Sequence, residues 1–142
     1  MTNEDFYESA VRHWIGGCIL IENEEYDNAV CFYGFAAECA LKAMMERINE
    51  NSDVKKYGHF GGPLFQDMKM MLSADLASTV MMDPVWGLRL SDLSIPDILF
   101  KDHPKRRYFE DGIYTRADAE ICQEAAKNLL SEMVSMRLDG YL

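Results

Sequence analysis

The chain has 142 residues, with 24 acidic against 14 basic side chains and a formal net charge of −10 at pH 7. Apolar residues make up 49% of it, enough for one ordinary core and too many for a disordered chain. Phosphate backbones are held by Lys and Arg, so general nucleic-acid binding is not expected of so acidic a chain; the charge suits solubility or a protein partner with a basic surface.

Taken in chain order, the opening T-N-E-D is a capping arrangement with Thr2 or Asn3 as N-cap. Phe6, Ala10, Trp14, Gly17 and Ile21 then recur on one helical face. Asn23 and Glu24 suit a short turn, and a second helix is predicted over 25–49, giving an antiparallel hairpin. Along it Ala29, Phe32, Tyr33, Ala36, Ala40 and Met44 share helical spacing, while Gly34, Ala36, Ala37 and Ala40 allow a neighbouring backbone to come close.

The polar, glycine-containing segment 49–62 reads as a loop. Pro63 suits the first turn of a third helix, with Leu64, Met68, Met71 and Leu72 as its stripe, continuing to Val80 or Met82 until Asp83 and Pro84 break it. Residues 85–114 carry no long period; a short helix near 85–93 is one reading, and a strand at Leu88, Leu90 and Ile95 would have nothing to pair with. Thr115-Arg116-Ala117-Asp118 is a second capping signal. It opens a last helix with Ala117, Ile121, Ala125, Leu129 and Met133 as its stripe, ended by Gly140. The fold class expected is all-α: one domain over 1–142, an antiparallel up-and-down bundle of four to five helices with a long connection before the last.

Cys18, Cys31, Cys39 and Cys122 lie among apolar residues with no C-x-x-C pair and no His at metal spacing. They read as small buried hydrophobes of a reducing compartment; no metal and no cofactor is expected. No apolar run approaches the roughly 20 residues of a membrane span. The apolar run 14–21 follows an acidic N-terminus without a basic stretch, so no signal peptide is expected and the cytoplasm is the expected location.

Several short pieces share an order. They are Ala29 through Glu38, Leu41 and Lys42 in the second helix, Gly58-His59 before the third, Arg107-Tyr108 in the long connection, and Tyr114-Thr115-Arg116-Ala117-Asp118-Ala119 at the start of the last. In that order they resemble HEPN domains, small helical bundles of toxin–antitoxin, nuclease and nucleotidyltransferase systems, over roughly 5–135. The resemblance implies the bundle fold and a homodimer. Many members are metal-independent ribonucleases with an R-x4–6-H motif, in which His moves a proton and Arg stabilises phosphate charge.

That motif is absent here. At the required spacing before His13 stand Phe6, Tyr7 and Glu8; before His59, Ser52, Asp53 and Val54; before His103, Pro96, Asp97 and Ile98. Downstream of Arg106 and Arg107 stand Asp111, Gly112, Ile113 and Tyr114. No catalytic residue is therefore assigned. An unrecognised pair such as Arg107 with His103 is the residual ribonuclease reading.

The expected function is a non-catalytic HEPN-like binding protein that neutralises or regulates a protein partner, an antitoxin- or immunity-type role against a basic nuclease toxin. Its partner-binding acids would be Glu22, Glu24, Glu25 and Asp27. The alternative is a nucleotide-binding accessory subunit of a minimal nucleotidyltransferase system, with Lys105, Arg106, Arg107 and Tyr108 on phosphate and base. Glu38 and Lys42 read as ordinary i,i+4 helix support, His59 as capping or packing, and the pairs Met44/Met45, Met70/Met71 and Met81/Met82 as soft contact surface, since adjacent Met side chains cannot all face one core.

Overall fold

A computed structural model of the chain describes residues 4–48, 53–71 and 93–138. Every regular element among them is helical. The helices are α1 (Phe6–Glu22), α2 (Tyr26–Ile48), α3 (Gly61–Met71), a one-turn α4 (Asp97–Phe100) and α5 (Arg116–Leu138), with 3₁₀ turns at Val54–Tyr57 and Lys105–Tyr108. The expected end of the third helix, the break at Asp83 and Pro84, residues 85–92, the pair Met81/Met82 and Gly140 lie outside the described residues, and Leu93 to Pro96 belong to no regular element.

Asp5, not the expected Thr2 or Asn3, is the N-cap of α1: its carboxylate accepts the backbone N–H of Glu8 at 2.9 Å. The expected face of this helix is the observed one, with Ala10, Gly17 and Ile21 buried and Phe6 and Trp14 partly so. Gly17 has no room for a side chain because Tyr33 of α2 lies on it; an added β-carbon would stand 2.7 Å from the ring. The two helices therefore pack closely, as the small residues of the pattern allow.

The centre of the molecule is α2. From 36 to 45 every residue is buried, Glu38 and Lys42 included. Met44 and Met45 are both inside, against the expectation that one of an adjacent pair must approach the surface. A helix covered on several sides has no outer face over that stretch. Pro63 sits in the first turn of α3, as its missing N–H permits.

At the start of α5 the Thr115 hydroxyl accepts the N–H of Asp118 at 3.2 Å, and the Asp118 carboxylate accepts the N–H of Thr115 at 3.0 Å. This reciprocal box is the predicted cap. The stripe of α5 is rotated from the predicted one: Ala119, Cys122, Ala126, Leu130 and Met136 join Ala125, Leu129 and Met133 inside, while Ala117 and Ile121 are exposed. Its start is tied to the start of α2 through Tyr114 and Asp27, and its end reaches the start of α1, where Arg137 stacks on Tyr7. Hence α5 runs antiparallel to α1 and alongside α2. No described helix is long and apolar enough to cross a membrane.

Candidate functional site

Four polar side chains from three segments meet on the middle of α2. Glu38 is 3% exposed and Lys42, one turn on, 6%. The Lys42 ammonium donates to Glu38 Oε2 at 3.0 Å and to the Gly58 carbonyl at 2.6 Å. The other carboxylate oxygen, Glu38 Oε1, takes His59 Nδ1 at 2.9 Å and His103 Nε2 at 2.8 Å. A carboxylate only accepts, so both ring nitrogens carry their proton, which fixes both tautomers. The pair read as ordinary i,i+4 helix support is thus a buried hub that pins the loop before α3 and the long connection to α2.

The electrostatics follow from this packing. Burial alone would raise the pKa of Glu38, but donation from His103, His59 and Lys42 outweighs it and holds the carboxyl at about 2. For His103, whose side chain is wholly buried, desolvation pushes the pKa below the ordinary value and outweighs the pull of Glu38. Its Nδ1 has no hydrogen-bond partner among the described residues. The side chain of His59 is 49% exposed, and its Nε2 is left as an acceptor.

All three histidines gather around one ring. Phe35 lies 5.6 Å from His13, 5.8 Å from His59 and 4.6 Å from His103, centroid to centroid, and the Arg107 guanidinium stands 5.9 Å from the same centroid. His13 is held by its own helix, Nδ1 donating to the Ser9 carbonyl at 2.8 Å. Of the residual ribonuclease pair, the His103 ring is enclosed and bonded to Glu38, while Arg107 is exposed.

Ligand atoms of Glu38, His59 and His103 lie within 4.8 Å of one another, and His and Glu are donor types that zinc takes. A cation between them would have to displace both ring protons from Oε1 and stand close to the Lys42 ammonium. As placed, the donors satisfy one another through hydrogen bonds, and the arrangement fits a structural lock better than a metal centre.

The basic segment does not form one cluster. Lys105, Arg107 and Tyr108 face outward, but Arg106 is buried. Its Nη1 donates to the carbonyls of Ile98 and Lys101 at 2.6 and 3.1 Å, and its Nη2 to those of Val30 and Leu99 at 3.1 and 2.6 Å. This guanidinium fastens the connection to α2 and is spent there, so Arg106 is withdrawn from the phosphate-binding set. Three consecutive basic residues give no sign of which one turns inward; the missing clue was a cluster of carbonyls brought together by the one-turn α4.

The predicted acids divide in the same way. Glu22, Glu24 and Glu25 are exposed around the α1–α2 turn. Asp27 instead accepts the backbone N–H groups of Gly112 and Tyr114 at 2.8 and 2.9 Å. Gly112 has φ +82°, a conformation that favours glycine, so the loop can turn onto Asp27. That clamp brings Glu110 and Asp111, both exposed, to the same end of the bundle. Arg116 is the neighbouring cation, 3.8 Å from Glu24.

Comparison with known proteins gives no match to a protein-family model, a curated protein or a solved structure. Of the motif residues singled out in the sequence, Glu38, Lys42, Gly58 and His59 meet at the hub.

Proposed function

We propose that this chain is a non-catalytic, HEPN-like binding protein whose acidic end engages and neutralises or regulates a basic protein partner, a nuclease toxin being the partner of best fit. The observation that carries the reading is the acidic end itself. Glu22, Glu24, Glu25, Glu110 and Asp111 project around one corner, assembled from two distant segments by the Asp27 clamp. Opposite fields speed encounter and select the complementary surface, and a nuclease must carry a positive surface to hold its phosphates. Acidic side chains laid on that surface would block it without any chemistry.

The non-catalytic part draws support from where the histidines go. His103 is enclosed, His13 is bonded to its own helix, and His59 is tied to Glu38. Co-purification from the source cells tests the reading. The wild-type chain is expected to retain a stoichiometric basic polypeptide. A variant carrying Glu24→Gln, Glu25→Gln, Glu110→Gln and Asp111→Asn should lose it while keeping its melting temperature. Equal retention by both chains would refute the role of the corner.

A further inference from the structure

The first half of α1 and the end of α5 border a hollow that neither the hub nor the acidic corner uses. It measures about 350 Å³, toward the lower end of the range for small-molecule sites, and is lined by Tyr7, Glu8, Val11, Arg12, Ile15 and Arg137. Tyr7, Val11 and Ile15 follow one another at intervals of four, so they form one apolar row along α1. Ile15 is 52% exposed, apolar surface left in water. Two guanidiniums stand over this row. That of Arg137 stacks on the Tyr7 ring, 3.9 Å from its centroid, and a stacked guanidinium keeps its N–H edge for an anion. Neither Arg12 nor Arg137 forms an ion pair among the described residues, in a chain rich in acid.

We propose that this hollow binds a small monocarboxylate with an aliphatic body, its carboxylate at Arg12 and Arg137 and its chain along Tyr7, Val11 and Ile15. The lining selects both halves of such a ligand. Guanidiniums match a carboxylate in geometry as well as charge, since each can offer two parallel N–H donors. The apolar row repays the burial of hydrocarbon, which an ion alone would not supply. Glu8 sets the charge of the ligand. It lines the hollow with the two arginines, leaving one more positive charge than negative, which suits a single negative charge and disfavours a dianion such as a phosphate monoester.

The surroundings confine the ligand to this side. A second hollow of about 280 Å³ shares Tyr7 and Arg137 with the first, but Glu4, Asp5 and Glu46 stand in its wall and would repel an anion. The inference is independent of the acidic-end reading. The hollow lies where α1 begins and α5 finishes, whereas the corner lies where α1 finishes and α5 begins, and the two have no residue in common.

Calorimetry on the purified chain tests it, with sodium octanoate as the probe and methyl NMR of Val11 and Ile15 to place it. Octanoate is expected to bind with a Kd below about 1 mM and to shift both methyl signals. Octanol, which lacks the charge, acetate, which lacks the body, and octyl phosphate, which carries the second charge, should each bind about tenfold or more weakly. Arg12→Gln, on an exposed side chain that leaves the fold intact, should weaken octanoate by about tenfold, and Glu8→Gln should tighten it. Silence at millimolar octanoate, or affinity indifferent to Arg12→Gln, overturns the proposal. Octanol or acetate binding as well as octanoate overturns it too, because one half of the site would then suffice. Octyl phosphate binding more tightly, or no gain from Glu8→Gln, overturns the assignment of a single charge.

Discussion

At Gly34 a β-carbon would stand 2.5 Å from Arg106 Nη2 and 2.8 Å from His103 Nδ1. Neither side chain can yield: the guanidinium is held by carbonyls on both nitrogens, and the ring by Glu38. Gly34→Ala is therefore expected to destabilise the fold by about 1–3 kcal/mol in urea unfolding, despite the better helix propensity of Ala. A neutral or stabilised variant would contradict the packing. Glu38 sets the response to acid. Its carboxyl titrates at about 2 when folded against an ordinary 4.5, so its contribution is complete above 4.5 and lost as pH falls from there toward 2. His103, held below its ordinary 6.5, acts in the same direction from a higher pH, because below 6.5 the unfolded chain takes up a proton that the folded chain resists. Thermal melts should fall as pH drops below 6.5 and more steeply below 4.5. Glu38→Gln breaks a buried ion pair and should cost about 3–5 kcal/mol at neutral pH. It should also flatten the lower part of that acid profile. An unchanged profile would mean that Glu38 is not the group responsible.

Elements were legible where local signals set them. The turn residues Asn23 and Glu24, Pro63, and the Thr115–Asp118 box each placed a helix end within a residue or two, because caps and prolines act through their own backbone. The box is expected to be worth about 1 kcal/mol, read as a lower denaturation midpoint for Thr115→Ala with an unchanged slope. No change would mean that Asp118 alone caps the helix. The inner face of α5 was harder to read. Ile121 fits a hydrophobic stripe as well as Cys122 does, and small residues such as Ala119 and Ala126 carry little periodic signal though they allow close packing against α2. The connection before α5 was illegible for a further reason. It has no period, and what orders it is a set of long-range bonds: His103 to Glu38, Arg106 to Val30, and Gly112 and Tyr114 to Asp27. The candidate site shared that fate. Glu38, Lys42 and His59 were each visible as motif fragments, but His103 lies 65 residues from Glu38, and spacing alone could not join them.

On the scale of the whole molecule the charges have a division of labour. Among the described residues the charged side chains taken inside, Glu38, Lys42 and Arg106, with His103, hold segments to α2, and most of the described acids are at the surface. One end gathers Glu24, Glu25, Glu110 and Asp111, while Glu4 and Glu46 stand by the start of α1 and the end of α2, away from it. An acidic chain without a preferred face would lose partner affinity wherever carboxylates were neutralised; a docking end would lose it only there. The decisive measurement is calorimetric affinity for the co-purified partner, comparing the corner variant with a control carrying Glu4→Gln and Glu46→Gln. The account predicts that the corner variant binds about tenfold or more weakly, roughly 1.4 kcal/mol, with a reduced salt dependence, and that the control binds as the wild type does. Equal weakening of both, or of neither, would contradict it.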